Sequence, residues 1–121
     1  MSRVIIAGSR DITEPQDVFH AIKIAKTSGM AIDEVVTGGA RGVDTIAHEA
    51  AKRKGVATKV FPANWDEHGK AAGPIRNREM AEYADALLAV WDGESRGTSN
   101  MIAEARKRGL EVFVVVMRGD Q

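Results

Sequence analysis

Four short segments of this sequence gather glycines, arginines and hydroxyl side chains in patterns that suit a phosphate-bearing ligand. The clearest is Gly38-Gly39-Ala40-Arg41-Gly42-Val43-Asp44. Glycines let a backbone turn tightly and approach a ligand with no β-carbon in the way. A helix beginning just after them would offer unpaired N–H groups and a partial positive charge. Arg41 could add a bidentate clamp on phosphate oxygens. Asp44 has two readings, a hydrogen bond to a ribose hydroxyl or favourable charge in a first helical turn. Gly97-Thr98-Ser99 is a second candidate cradle, in which Thr98 or Ser99 either caps a helix or donates a hydroxyl to phosphate. Gly8-Ser9-Arg10 is a third segment. Arg76-Asn77-Arg78 is the fourth and sets two guanidinium groups on either side of an amide. Each has a plainer reading, as a tight turn with a surface arginine or as a solvated helix start. Four acids, Asp44, Asp92, Glu94 and Glu104, are the candidates for any bond-breaking chemistry.

The elements that must position these segments follow from the hydrophobic pattern. Apolar runs occur at Val4–Ala7, Glu34–Thr37, Thr58–Phe61, Ala86–Trp91 and Glu111–Val116. They are short and lack polar alternation, which predicts parallel strands buried on both faces. Helical patterns lie between them. One opens on Thr13-Glu14-Pro15-Gln16, which reads as a capping box, and places Val18, Ile22 and Ala25 on one face before Gly29. The next runs from Val43 through Ile46, Ala47, Ala50 and Ala51 to Gly55. A third is expected from near Pro74 to Tyr83. The last starts near Thr98 or Ser99, packs Ile102 and Ala105, and stops at Gly109. Strand and helix alternate throughout. Right-handed crossovers then predict a sheet with helices on both faces. An α/β, three-layer Rossmann-like domain over residues 1–121 is expected, its five-stranded parallel sheet in the Rossmann-like order 3-2-1-4-5. In such a sheet ligands bind beyond the carboxyl ends of the strands, where the strand order reverses. The four segments all follow strands, so they should meet at one edge.

Composition bounds the function. Lys and Arg number 17 against 17 Asp and Glu, a formal net charge of zero. A duplex-binding protein ordinarily carries a basic excess, so duplex nucleic acid is not an expected partner and any anion attraction must be local. There is no cysteine, which excludes disulfides, thiolate nucleophiles and cysteine-held zinc. No stretch suits a membrane span or a secretory signal, so a cytoplasmic location is expected. The first strand is not followed by GxGxxG, and GxxxxGK[ST], HExxH and GxSxG are all missing. No metal and no cofactor are expected.

The motifs carry a family resemblance. Gly39-Ala40-Arg41-Gly42-Val43-Asp44, then Ala47-His48, resembles the signature of the Rossmann-like domain in the DNA-processing Smf proteins. Arg76-Asn77-Arg78 resembles the arginine-asparagine-arginine motif of the same proteins. Gly97-Thr98 opening a helix is similar to the glycine-threonine phosphate loop of the LOG phosphoribohydrolases. Together these residues resemble the SLOG superfamily, and more narrowly its small stand-alone YspA-like members, the DUF2493 group. The resemblance implies binding of a nucleotide or nucleotide-derived small molecule, by a homodimer. It offers a nucleotide N-glycosidase or ribosyl transferase as an alternative, and single-stranded DNA binding as a second. The LOG motif places a catalytic glutamate three residues after the threonine, whereas Met101 stands at that position in this chain.

Overall fold

The computed structural model describes residues 2–117. The elements run β1 (Arg3–Gly8), α1 (Pro15–Thr27), β2 (Glu34–Thr37), α2 (Val43–Arg53), β3 (Ala57–Val60), α3 (Trp65–His68), α4 (Ala72–Tyr83), β4 (Ala86–Trp91), α5 (Arg96–Lys107) and β5 (Glu111–Val116). A single 3-10 turn, Gly69–Ala71, joins α3 to α4. All neighbouring strands pair parallel, in the expected order β3-β2-β1-β4-β5. Among the described residues no helix is long and apolar enough to cross a membrane.

Side chains alternate across a strand, so each central strand feeds two cores. Val4, Ile6, Leu88 and Val90 face one side, where Val18, Ala21 and Ala25 of α1 and Val43, Ala47 and Ala51 of α2 cover them. Ile5, Ala7, Leu87 and Ala89 face the other, against Met80 and Ala81 of α4 and Met101, Ile102 and Ala105 of α5. Burial on both faces explains why β1 and β4 read as unbroken apolar runs. The outer strands differ from that expectation. β3 is largely exposed, and β5 is only half buried, because each is an edge strand and the helices concentrate over the centre.

Three local expectations are corrected. Thr13 and Gln16 form no capping box, since α1 starts on Pro15 and Glu14 occupies the capping position without a side-chain bond. Proline's fixed φ suits the first helical residue, and here it sets the boundary. Helix α4 begins at Ala72, two residues ahead of Pro74, and is preceded by the unforeseen one-turn helix α3. Helix α5 begins at Arg96, so neither Thr98 nor Ser99 caps it. Ser95 does, its hydroxyl accepting from the Thr98 N–H at 3.5 Å.

Candidate functional site

The chain crosses from β1 outward to β2 and β3, then returns past β1 to β4. At that reversal an open cleft of about 770 Å3 lies beyond the carboxyl ends of the strands. It takes residues from every segment singled out above, including Gly8, Ser9, Arg10, Arg41, Asp44, Arg76, Asn77, Asp92, Glu94, Gly97 and Thr98.

The β1 loop is bound to the β4 loop. Ser9 N–H donates to Val90 O at 3.1 Å, extending the β1–β4 ladder by one residue, and the buried Ser9 Oγ accepts from Asp92 N–H at 3.1 Å. Asp92 Oδ1 accepts from both Glu94 N–H and Ser95 N–H at 2.8 Å. These backbone donors hold its carboxyl below the ordinary aspartate range. The turn that results delivers Ser95 to cap α5.

The glycines mostly serve contact between loops. A β-carbon on Gly8 would stand 2.1 Å from Val90 O and 2.6 Å from Val43 Cγ2, so the end of β1 admits no side chain. Gly42 has φ +75° and lies against the Ser9 and Arg10 carbonyls. Gly38 lies under the Arg76 guanidinium, and Gly39, also at positive φ, sits near Val60. Gly38, Gly39 and Gly42 are not part of the cleft wall. Gly97 is different: a β-carbon there would meet nothing within 4 Å, and the residue opens onto the cleft in the first turn of α5. Among the described residues the N–H groups of Arg96 and Gly97 reach no protein acceptor, as first-turn donors do not within a helix.

Asp44, in the first turn of α2, braces the β2 loop that precedes it. Its side chain is 4 % exposed, and Oδ2 accepts from Gly38 N–H at 3.0 Å and Ala40 N–H at 3.3 Å. Burial pushes its carboxyl up from 3.8 to about 6, against the opposing pull of those N–H groups and of the Arg76 charge. Arg76 in turn donates Nη1 to Gly38 O at 2.6 Å and Nε to Asn77 Oδ1 at 3.0 Å. Burial lowers its pKa, and Asp44 counters that shift. Asn77, also buried, donates Nδ2 to Gly97 O at 3.3 Å and to Asn100 Oδ1 at 2.9 Å. Arg76 and Asn77 therefore clamp the β2 loop to α4 and α4 to α5. Consecutive helical residues point about 100° apart, and Arg78, the next one, is exposed and away from the cleft.

Three further sequence candidates stand apart. Ser99 is exposed on α5 outside the cleft wall. Glu104 does not reach the cleft, because its carboxylate is bonded to Arg108 Nη1 at 2.8 Å on the same helix. His48, from the family signature, is half-buried on α2 outside the cleft wall, its Nδ1 buried without a partner among the described residues. Met101 is buried yet contributes to the cleft wall. Asp11, Ser95, Arg96 and Asn100, neighbours of the candidate residues in the same segments, also line the cleft. A signal for Ser95 was present in its position three residues before Thr98, the spacing of a helix cap.

Comparison with known proteins follows the same lines. The sequence profile described as "YspA, cpYpsA-related SLOG family" matches residues 2–68, more than half of the chain. The chain belongs to this family. This SLOG-family chain is 39 % identical over 119 residues to the Gene 61 protein of Mycobacterium phage D29, covering 93 % of this chain and 95 % of that protein. Its fold is shared with DNA processing protein A (DprA) from Streptococcus pneumoniae, with a TM-score of 0.72, 22 % identity, and 94 % of this chain covered. It is likewise shared with DprA from Helicobacter pylori, with a TM-score of 0.68, 24 % identity, and 99 % of this chain covered. This chain spans 50 % of the Streptococcus chain and 67 % of the Helicobacter chain.

Proposed function

We propose that the cleft binds a nucleotide or nucleotide-derived phosphate ligand, with phosphate against the first turn of α5 and the guanidinium groups of Arg10, Arg41 and Arg96. One observation carries this reading. Loops far apart in sequence share a single cleft, and within it these three exposed arginines have no acidic partner among the described residues, beside the open Gly97 backbone. Free guanidinium groups next to unpaired helix N–H donors are the chemistry of anion capture. Binding is favoured over glycoside cleavage. Met101 supplies no carboxylate, Glu104 is paired elsewhere, and Asp92 already spends Oδ1 on two backbone donors. A cleavage reaction would fall to Asp44 or Glu94.

The test is calorimetry with AMP and with inorganic phosphate on the wild-type chain, Arg41→Ala and Arg96→Ala. Each substitution removes a charge-assisted contact and is expected to weaken AMP binding about tenfold while leaving the unfolding transition in place. Unchanged affinity in both variants would move the phosphate away from this wall. Arg76 is a poorer probe, because it also holds Gly38 and Asn77. Native mass spectrometry of freshly purified protein would reveal a retained nucleotide and test the homodimer that we include in this proposal.

A second reading has a specific motive. The Helicobacter pylori protein that shares this fold is described for its single-stranded DNA binding mode, and the open cleft carries free arginines. If a nucleic-acid strand is the ligand, affinity for a thymidine oligonucleotide should fall steeply as salt rises. Flat salt dependence, or no binding at low salt, excludes that reading.

A further inference from the structure

We infer that Trp65 is the base-stacking platform of this cleft, so that its ligand is a nucleotide with an intact aromatic base rather than a bare sugar phosphate. This rests on the phosphate reading above and adds the specificity that reading lacks. Four large apolar side chains are exposed among the described residues: Phe19, Val60, Trp65 and Val116. Trp65 is the most exposed of them, at 52 %, and the only one of the four that lines the cleft.

The other aromatic groups near the site are already engaged. Trp91 packs against the core beneath α4 and α5 and donates Nε1 to Ser95 O at 3.0 Å. Phe61 and Tyr83 pack against one another in a tilted pair with ring centroids 5.4 Å apart. Trp65 has neither an aromatic partner nor a hydrogen bond from its indole N–H among the described residues. An apolar surface of this size, left in a cleft, has value when a ligand covers it.

The local chain holds the indole in place. Asn64 caps α3, its Oδ1 accepting from Glu67 N–H at 3.1 Å while its Nδ2 donates to Glu67 Oε2 at 3.0 Å. Trp65 is the first residue of that capped turn. Its ring edge rests over Gly73, where a β-carbon would stand 3.6 Å from Cη2. The cleft is thus two-sided in chemistry. Trp65 and Pro74 give it an aromatic and apolar part carried by α3 and α4, while Arg41, Arg96 and the α5 N-terminus give it a cationic part. A phosphate joined to a planar base fits both parts. Stacking tolerates any base, because every base presents a π face.

The experiment compares AMP, UMP and ribose 5-phosphate by calorimetry on the full chain, as wild type, Trp65→Ala and Trp65→Phe. The wild type should bind both nucleotides about tenfold more tightly than ribose 5-phosphate. Trp65→Ala should erase that difference and leave ribose 5-phosphate affinity within about twofold, and Trp65→Phe should keep most of it. The exposed position makes loss of the fold a minor concern, and circular dichroism checks it. Ribose 5-phosphate bound as tightly as AMP by the wild type would overturn the Trp65 platform while the phosphate site stands. Equal weakening of all three probes by Trp65→Ala, or a changed oligomeric state, would also overturn it by making Trp65 structural. A wild-type chain that binds none of the three overturns both readings.

Discussion

Gly42→Ala is expected to lower the unfolding free energy by about 4 kcal/mol, and with it to disorganise the cleft. Two independent penalties add. Gly42 caps α2 with φ 75° and ψ −125°, a backbone region essentially reserved for glycine. Its β-carbon would also stand 2.7 Å from Arg10 O and 2.8 Å from Ser9 O. Both obstacles are backbone, so no side-chain rotation relieves them. The β1 loop would have to retreat from the β2 loop, and Arg10 and Arg41 would move with it. Urea unfolding of the wild type and the variant measures the difference. Gly97→Ala is the control, since a β-carbon there meets nothing within 4 Å and alanine is the better helix former. It should leave stability unchanged or raise it by up to about 1 kcal/mol. Equal losses in the two variants would show that contact between the loops is not what Gly42 serves.

The second large effect is a pH dependence that belongs to Asp44. Its carboxyl is at about 6 in the folded chain against 3.8 unfolded, because burial disfavours the charged form. Below 3.8 both states hold the proton and the group has no effect. Between 3.8 and about 6 the unfolded chain releases the proton while the folded chain keeps it, so stability falls as pH rises through this window. Above it the loss is complete. From pH 4 to pH 7 the loss from this one group should be about 2–3 kcal/mol. Asp44→Asn keeps an oxygen to accept from Gly38 and Ala40 but cannot ionise. Its unfolding free energy should therefore fall less over the same interval, by that amount, and paired urea titrations at the two pH values read the difference. Identical slopes would mean that Asp44 is not a desolvated acid in the folded protein.

Both predictions concern the joints of the site rather than its mouth, and this changes what the motifs mean. By residue type Arg76, Asn77 and the glycines suit phosphate, and Asp44 suits either a ribose hydroxyl or the first turn of a helix. In the structure the hydrogen-bonding capacity of Asn77, and much of that of Arg76 and Asp44, is turned inward between loops. Among the described residues, the side chains of Arg10, Arg41, Arg96 and Trp65, with the acids Asp11 and Glu94, line the cleft without a side-chain partner, beside the open Gly97 backbone. Motif residues can thus hold loops together at the edge of a cleft, whatever else they do there.

The α/β class and the edge at which the loops meet are legible in the amino-acid pattern, and the strand order is expected from it. The class and the edge follow from periodicity and from the handedness of crossovers, which depend on local backbone sterics and on the alternation of side chains across a strand, whereas the order is the one customary in Rossmann-like sheets. Gly8 and Gly42 stand in segments whose glycines permit tight turns and close approach. Only the tertiary structure decided what crowds them. The carbonyls that meet Gly42 come from the β1 loop, the oxygen that meets Gly8 comes from β4, and the raised pKa of Asp44 comes from burial by elements distant in the chain. Burial and partner choice are set by which surfaces the packing brings together, and spacing along the chain does not encode that. The same reason separates Arg41, without a partner among the described residues, from Arg76, bound to Gly38, although the two are the same residue type at the same edge of the sheet.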